Sequence, residues 1–113
     1  MYTNNIKNVK VEDVDMEGAK NSKIQWLITK HHGAQNFAMR RFILEKDAVI
    51  PKHQHPWEHE IFVLSGSGIV GAGNEEKELG PGDFAFIPPD VPHWYRKTSK
   101  DDWIFICIIP YKK

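Results

Sequence analysis

The run His53-Gln54-His55-Pro56-Trp57-Glu58-His59-Glu60, continuing as Ile61-Phe62-Val63-Leu64-Ser65-Gly66, sets three histidines in front of a β-branched and aromatic stretch. On a helix His55 and His59 would share a face, being four apart. That reading fails: Pro51 and Pro56 bracket the segment, and a helical HExxH motif needs glutamate where Pro56 stands. On a strand, residues two apart share a face, so His53 and His55 point the same way. After a bend at Pro56-Trp57, His59 opens the next strand. It shares a face with Ile61 and Val63, and Glu60 takes the opposite one. Imidazole is the commonest protein ligand for transition metals, so the three rings can converge on one ion if the backbone turns them inward. His93, in Pro92-His93-Trp94-Tyr95, is the candidate fourth ligand from a distant segment.

The rest of the chain is written in the same strand language. Residues 23–29, 37–45, 60–64, 68–72, 84–87, 93–97 and 103–109 are short, rich in β-branched or aromatic side chains, and separated by turn formers. Ser65-Gly66-Ser67-Gly68 and Gly73-Asn74 have the composition of hairpin turns. Gly80-Pro81-Gly82-Asp83 and Pro88-Pro89-Asp90 break the chain too densely for a helix to cross. Residues 1–20 form a polar arm, in which a short strand around 6–11 and a frayed segment are both open readings. Many short strands with almost no helical periodicity predict an all-β sandwich or barrel. At 113 residues, one domain with a real core is expected. Lys plus Arg number 15 and Asp plus Glu 15, so no basic field recruits nucleic acid or a lipid surface. There is no apolar leader and no apolar run long enough for a transmembrane helix, and the single Cys107 suits a reducing, cytoplasmic setting.

These residues resemble the cupin superfamily, whose fold is a double-stranded β-helix, or jelly-roll, barrel. The first cupin motif, G-x5-H-x-H-x(3,4)-E-x6-G, is matched by His53-Gln54-His55 and the closing Gly66. Counting six residues back from Gly66 puts His59, not Glu60, in the acidic ligand's slot. The second, G-x5-P-x-G-x2-H-x3-N, is matched by Gly82, Pro88 and His93. Asp47 and Asp90 stand where the motifs carry glycine, and both are expected at positive φ. Lys97 replaces the closing asparagine. The resemblance spans residues 37–109, with 1–20 as an arm or extra strand. It is greatest to the small single-domain cupins that hold manganese with four histidines, which implies His53, His55, His59 and His93 as ligands of one divalent transition metal. Manganese is favoured, with iron, zinc or nickel as alternatives.

Around that set, Trp57, Tyr95 and Phe105 each suit the barrel core or a dimer interface, and their concentration suggests an apolar pocket, with Tyr95 inward and Trp94 outward by strand alternation. Glu60 is expected in a supporting or surface role, and Cys107 is a core residue or a pocket wall. Arg40 and Arg41 adjoin on one strand, so one of them must face inward or lie at an edge; it would meet a substrate carboxylate or, more simply, an acidic neighbour. His31 and His32 fall in an exposed loop. The expected function is metal-dependent, dioxygenase-like oxidation of a small organic molecule. The alternatives are redox-neutral Lewis-acid chemistry (isomerase, lyase or decarboxylase) and a non-catalytic small-molecule binding module. Cupins are usually homodimers, which sets that expectation here.

Overall fold

The computed structural model describes residues 1–111; residues 112 and 113, part of the expected domain, lie outside it. Among the described residues nine strands follow one another: β1 (Glu12–Asp13), β2 (Lys20–Ile28), β3 (Phe37–His53), β4 (His59–Ser65), β5 (Gly68–Ala72), β6 (Glu75–Leu79), β7 (Phe84–Ile87), β8 (His93–Lys97) and β9 (Trp103–Pro110). All pairings are antiparallel, in the order β6-β5-β8-β3-β9-β4-β7, and β2 joins β1 to β3. The result is a nearly closed antiparallel barrel, one of the two architectures that the strand pattern predicts and the jelly roll that the resemblance implies. Helix is confined to two short 3-10 turns, Ile6–Asn8 and Lys30–His32, so among the described residues no helix is long and apolar enough to cross a membrane.

The chain closes into a barrel because β3 serves two layers. Its first half pairs with β2 and β9, and its last residues, from Val49 to His53, pair with β8. Between the two, Asp47 sits at φ 61 and Asn21 on the facing strand at φ 52, and the register slips there. Asn21 Nδ2 donates to Lys46 O at 2.8 Å across the irregularity. Asp90 is also at positive φ (65), so both glycine replacements adopt the turn expected of them. Inward side chains alternate along β9 as Trp103, Phe105 and Cys107, and along β4 as His59, Ile61 and Val63. With Leu44, Ile50 and Ile87 they form the core.

Three sequence expectations change. The strand open to residues 6–11 does not form: Ile6–Asn8 is a 3-10 turn, and the arm joins β2 at Glu12–Asp13, with Val14 N donating to Ser22 O at 3.0 Å just beyond. Ser65 to Gly68 is not a hairpin: β4 pairs with β7 and β9, and β5 with β6 and β8, so Gly66 carries the chain from one layer to the other. Finally β6, Glu-Glu-Lys-Glu-Leu, is a strand that the sequence did not announce. It lies at the end of the sheet order, where charge protects an exposed edge and no apolar face is needed.

Candidate metal centre

Three of the four histidines stand at strand ends that the topology brings to one end of the barrel. His53 is the last residue of β3, His59 the first of β4 and His93 the first of β8, while His55 lies in the link between β3 and β4. Strand alternation therefore does not explain the approach of His55 to His53, as the sequence suggests; the link curls back instead. It is tied down by Asp90 N, which donates to His55 O at 2.8 Å. His53 and His93 are direct cross-strand partners, with ring centroids 4.0 Å apart. His55 lies 5.0 Å from His53, and His59 lies 4.6 Å from His93 and 5.4 Å from His55. One nitrogen from each of His53, His55 and His93 falls within 4.8 Å of the others. His59 is next to this trio without belonging to it on that measure.

The ring nitrogens are already oriented. His53 Nδ1 lies 2.8 Å from Pro51 O, and His93 Nδ1 lies 2.9 Å from Val91 O. A carbonyl can only accept, so both Nδ1 atoms carry the proton and both Nε2 atoms keep their lone pairs. His93 Nε2 and His59 Nδ1 are buried and find no partner among the described residues. Buried polar atoms are normally satisfied, and nitrogens left bare beside a cluster of imidazoles fit a cation. The ionisation behaviour agrees. Burial, reinforced by the neighbouring His93, pushes His59 down to about 3; burial likewise pushes His93 down to about 4. Burial also lowers His53 and His55. The four rings are therefore neutral at pH 7, the state in which imidazole binds metals.

A pocket of about 280 Å³ opens beside the cluster. His53, His55, His59, Trp57, Tyr95 and Cys107 line it, and so does Arg40. Trp57 stacks on His55 at 4.5 Å and 6°. Tyr95 faces in and Trp94 out, where its Nε1 donates to Glu76 Oε2 at 2.8 Å. Burial raises both the Tyr95 phenol and the Cys107 thiol, so neither is an ionised nucleophile at neutral pH. Phe105 does not reach the pocket; it is core, stacked on Phe42 at 5.2 Å. Glu60 is exposed on the far side of β4, beside Glu58 in a surface groove. His31 and His32 are exposed and do not line this pocket; they border a neighbouring groove that shares Glu12 and Trp26 with it.

Among the described residues, the arginines do not pair with acids. Among the described residues the one ion pair is Lys23–Asp13, at 2.5 Å. Arg41 turns outward to Gln25 Oε1 at 2.8 Å. Arg40 turns inward, where its Nη2 meets Cys107 Sγ at 3.0 Å. Sequence reasoning missed the rest of this wall: Trp26 and Phe42, whose rings flank the Arg40 guanidinium at 5.4 and 5.0 Å, and the arm from Glu12 to Met16. Parity from Arg40 would have found Phe42 on the same face. Trp26 is its cross-strand partner, and the arm carried only the weak alternation of Val14 and Met16.

Comparison with known proteins agrees with this architecture. Residues 40–109 match the Cupin_2 profile, described as a cupin domain. The chain superposes on the polyketide cyclase RemF from Streptomyces resistomycificus with a TM-score of 0.93 and 32% identity, covering 99% of this chain and 80% of that one. An uncharacterized protein from Aquifex aeolicus (strain VF5) is 42% identical over 57 residues, 49% of this chain and 46% of its own length. The dimethylsulfoniopropionate lyase DddQ from Ruegeria pomeroyi is 39% identical over 51 residues, 44% of this chain and 25% of its own. The matches thus span about half or less of these two relatives. With the family profile covering more than half of the chain, and the barrel and histidine cluster in place, this protein belongs to the cupin family.

Proposed function

We propose that the pocket is a metal-assisted, redox-neutral active site for a small unsaturated carbonyl compound. One divalent transition metal, manganese the favoured one, would be held by His53, His55, His59 and His93. The supporting observation is the donor set itself: three clustered neutral imidazoles with His59 beside them and no carboxylate among them, two donating Nδ1–H to a backbone carbonyl so that Nε2 keeps its lone pair. When bound, an ion in such a shell keeps its full charge and acts as a Lewis acid on a carbonyl oxygen. The chain does the rest. Trp57 and Tyr95 offer flat apolar walls that exclude water, and the small volume limits the occupant to about the size of one or two rings. Holding the reacting groups at fixed positions is worth several orders of magnitude in rate where geometry is good.

The dioxygenase-like chemistry expected from sequence gives way in preference to this reading. RemF is described as a cyclase and DddQ as a lyase, and cyclisation and elimination are both redox-neutral. The test uses metal analysis and exchange of the acidic C–H of a small β-dicarbonyl acid in D2O, followed by NMR. Metal-dependent exchange is expected, retained when zinc replaces the native ion and lost with the metal in His93→Ala. Oxygen uptake matching substrate loss, with no exchange under zinc, would restore the oxidative reading.

A further inference from the structure

Among the described residues Arg40 is the one cation lining the pocket, and none of them pairs an anion with it. Its neighbours are the two aromatic rings, Trp26 and Phe42, and the Cys107 thiol, a weak acceptor. Its Nε is buried without a partner, and no carboxylate of the described residues pairs with it. Glu12, Asp13 and Asp15 line the outer part of the same pocket; all are exposed, and Asp13 is already engaged by Lys23. A half-buried guanidinium served by one sulfur carries an unmet desolvation cost, which an arriving anion would offset with charge-assisted hydrogen bonds.

Its position suits a substrate contact. Arg40 pairs across the sheet with Cys107, and Cys107 with Ile61, so the three form one cross-strand row. His59 is the next inward residue on β4, one row along, about 7 Å by strand spacing. One molecule can therefore meet Arg40 at one end and the histidines at the other.

We propose that Arg40 is the anchor for a carboxylate on the substrate, so that the pocket selects small, flat, unsaturated acids and turns their far end toward the histidine cluster. The proposal rests on the pocket being a substrate site, but not on the metal or on turnover. Arg40 acts as a planar donor here, stacked between rings as lysine cannot be. The aromatic walls then accept a planar body, and the guanidinium fixes which end enters first.

Calorimetric titration with 2-naphthoate and its uncharged isostere 2-naphthamide separates these ideas, on the protein as isolated and again after chelation. At least a tenfold preference for the acid is expected in both preparations. Arg40→Gln should erase it and leave amide binding in place, whereas Arg40→Lys should keep a smaller preference that weakens further with salt. Circular dichroism and thermal melting check that each variant is folded; if Arg40→Gln does not fold, the Arg40→Lys titration decides. Equal binding of acid and amide by the wild type overturns the proposal. So does a full preference surviving in a folded Arg40→Gln variant, or undiminished in Arg40→Lys. A preference that vanishes on chelation alone assigns the carboxylate to the metal and also overturns it. Loss of metal-dependent exchange with the naphthoate preference intact would instead count against the redox-neutral reading.

Discussion

At the scale of single residues, the cluster is shaped by burial more than by charge pairing. His59 and His93 are almost wholly covered, and each is held neutral far below the usual histidine range, at about 3 and about 4. An unfolded chain would take up protons near the ordinary value of about 6.5. Between those limits the unfolded chain of the metal-free protein binds more protons than the folded one, so stability is present above pH 6.5 and is lost as pH falls. Urea unfolding of the metal-free protein should give a lower midpoint at pH 5 than at pH 7, and His93→Asn should flatten that slope. A midpoint independent of pH over this window would contradict the buried, neutral cluster. Ligands with the ordinary histidine value of about 6.5 would begin to protonate, and so to release a metal, just below that pH. Burial moves the expectation lower, and chelator competition at pH 5.5 should still find most of the metal bound. Glu60→Gln should leave metal content unchanged, because that carboxylate lies on the opposite face of β4; a loss of metal in the folded variant would bring Glu60 back as a ligand.

At the scale of elements, what the sequence could reveal depended on whether a signal was local. The alternation of β9, the outward place of Glu60 and the positive φ of Asp47 and Asp90 were all legible, because parity and turn chemistry act within a few residues. The bend of the His55 link, the crossover at Gly66 and the acid-free setting of Arg40 were not, because each is decided by a partner far along the chain. Strand β6 escaped because an edge strand needs no apolar face. Gly66 shows how a non-local constraint can be tested. It lies at φ 70, and a Cβ there would come 2.1 Å from Asp102 O and 2.8 Å from Trp103 Cα, both backbone atoms that cannot turn away. Left-handed strain and overpacking together predict a loss of roughly 2–4 kcal/mol for Gly66→Ala. Asp47→Gly, at a position already at positive φ, should stay within about 1 kcal/mol of wild type. Urea melts of the two variants check both values; an unperturbed Gly66→Ala would mean that the crossover is loose.

At the scale of the whole molecule, the outer face of β4 and β7 departs from strand alternation. Along β4 and β7 the inward residues are His59, Ile61, Val63 and Ile87, and the outward ones should be polar if water covers them. Instead Phe62 and Leu64 on β4 and Phe84 and Phe86 on β7 are exposed, Phe84 at 76%, with Phe62 and Phe84 paired across the strands. β7 also ends the strand order, so the apolar face runs out to an edge that offers unpaired backbone groups. Contrast the other end, where β6 guards its edge with Glu75, Glu76, Lys77 and Glu78. One edge is protected and the other left apolar, which is the pattern of a surface meant to be covered. A second copy of the chain fits because a two-fold axis sets the same patch against itself, covering both at once. We therefore expect a homodimer built on β4 and β7, with each histidine cluster inside its own barrel. Sedimentation velocity should give twice the 13.1 kDa of the chain at micromolar concentration. Phe62→Asp with Phe84→Asp should halve that mass and leave the metal content unchanged, since both side chains point away from the pocket. A wild type that sediments as one chain, or a double variant that remains a dimer, would show that this face serves some other purpose.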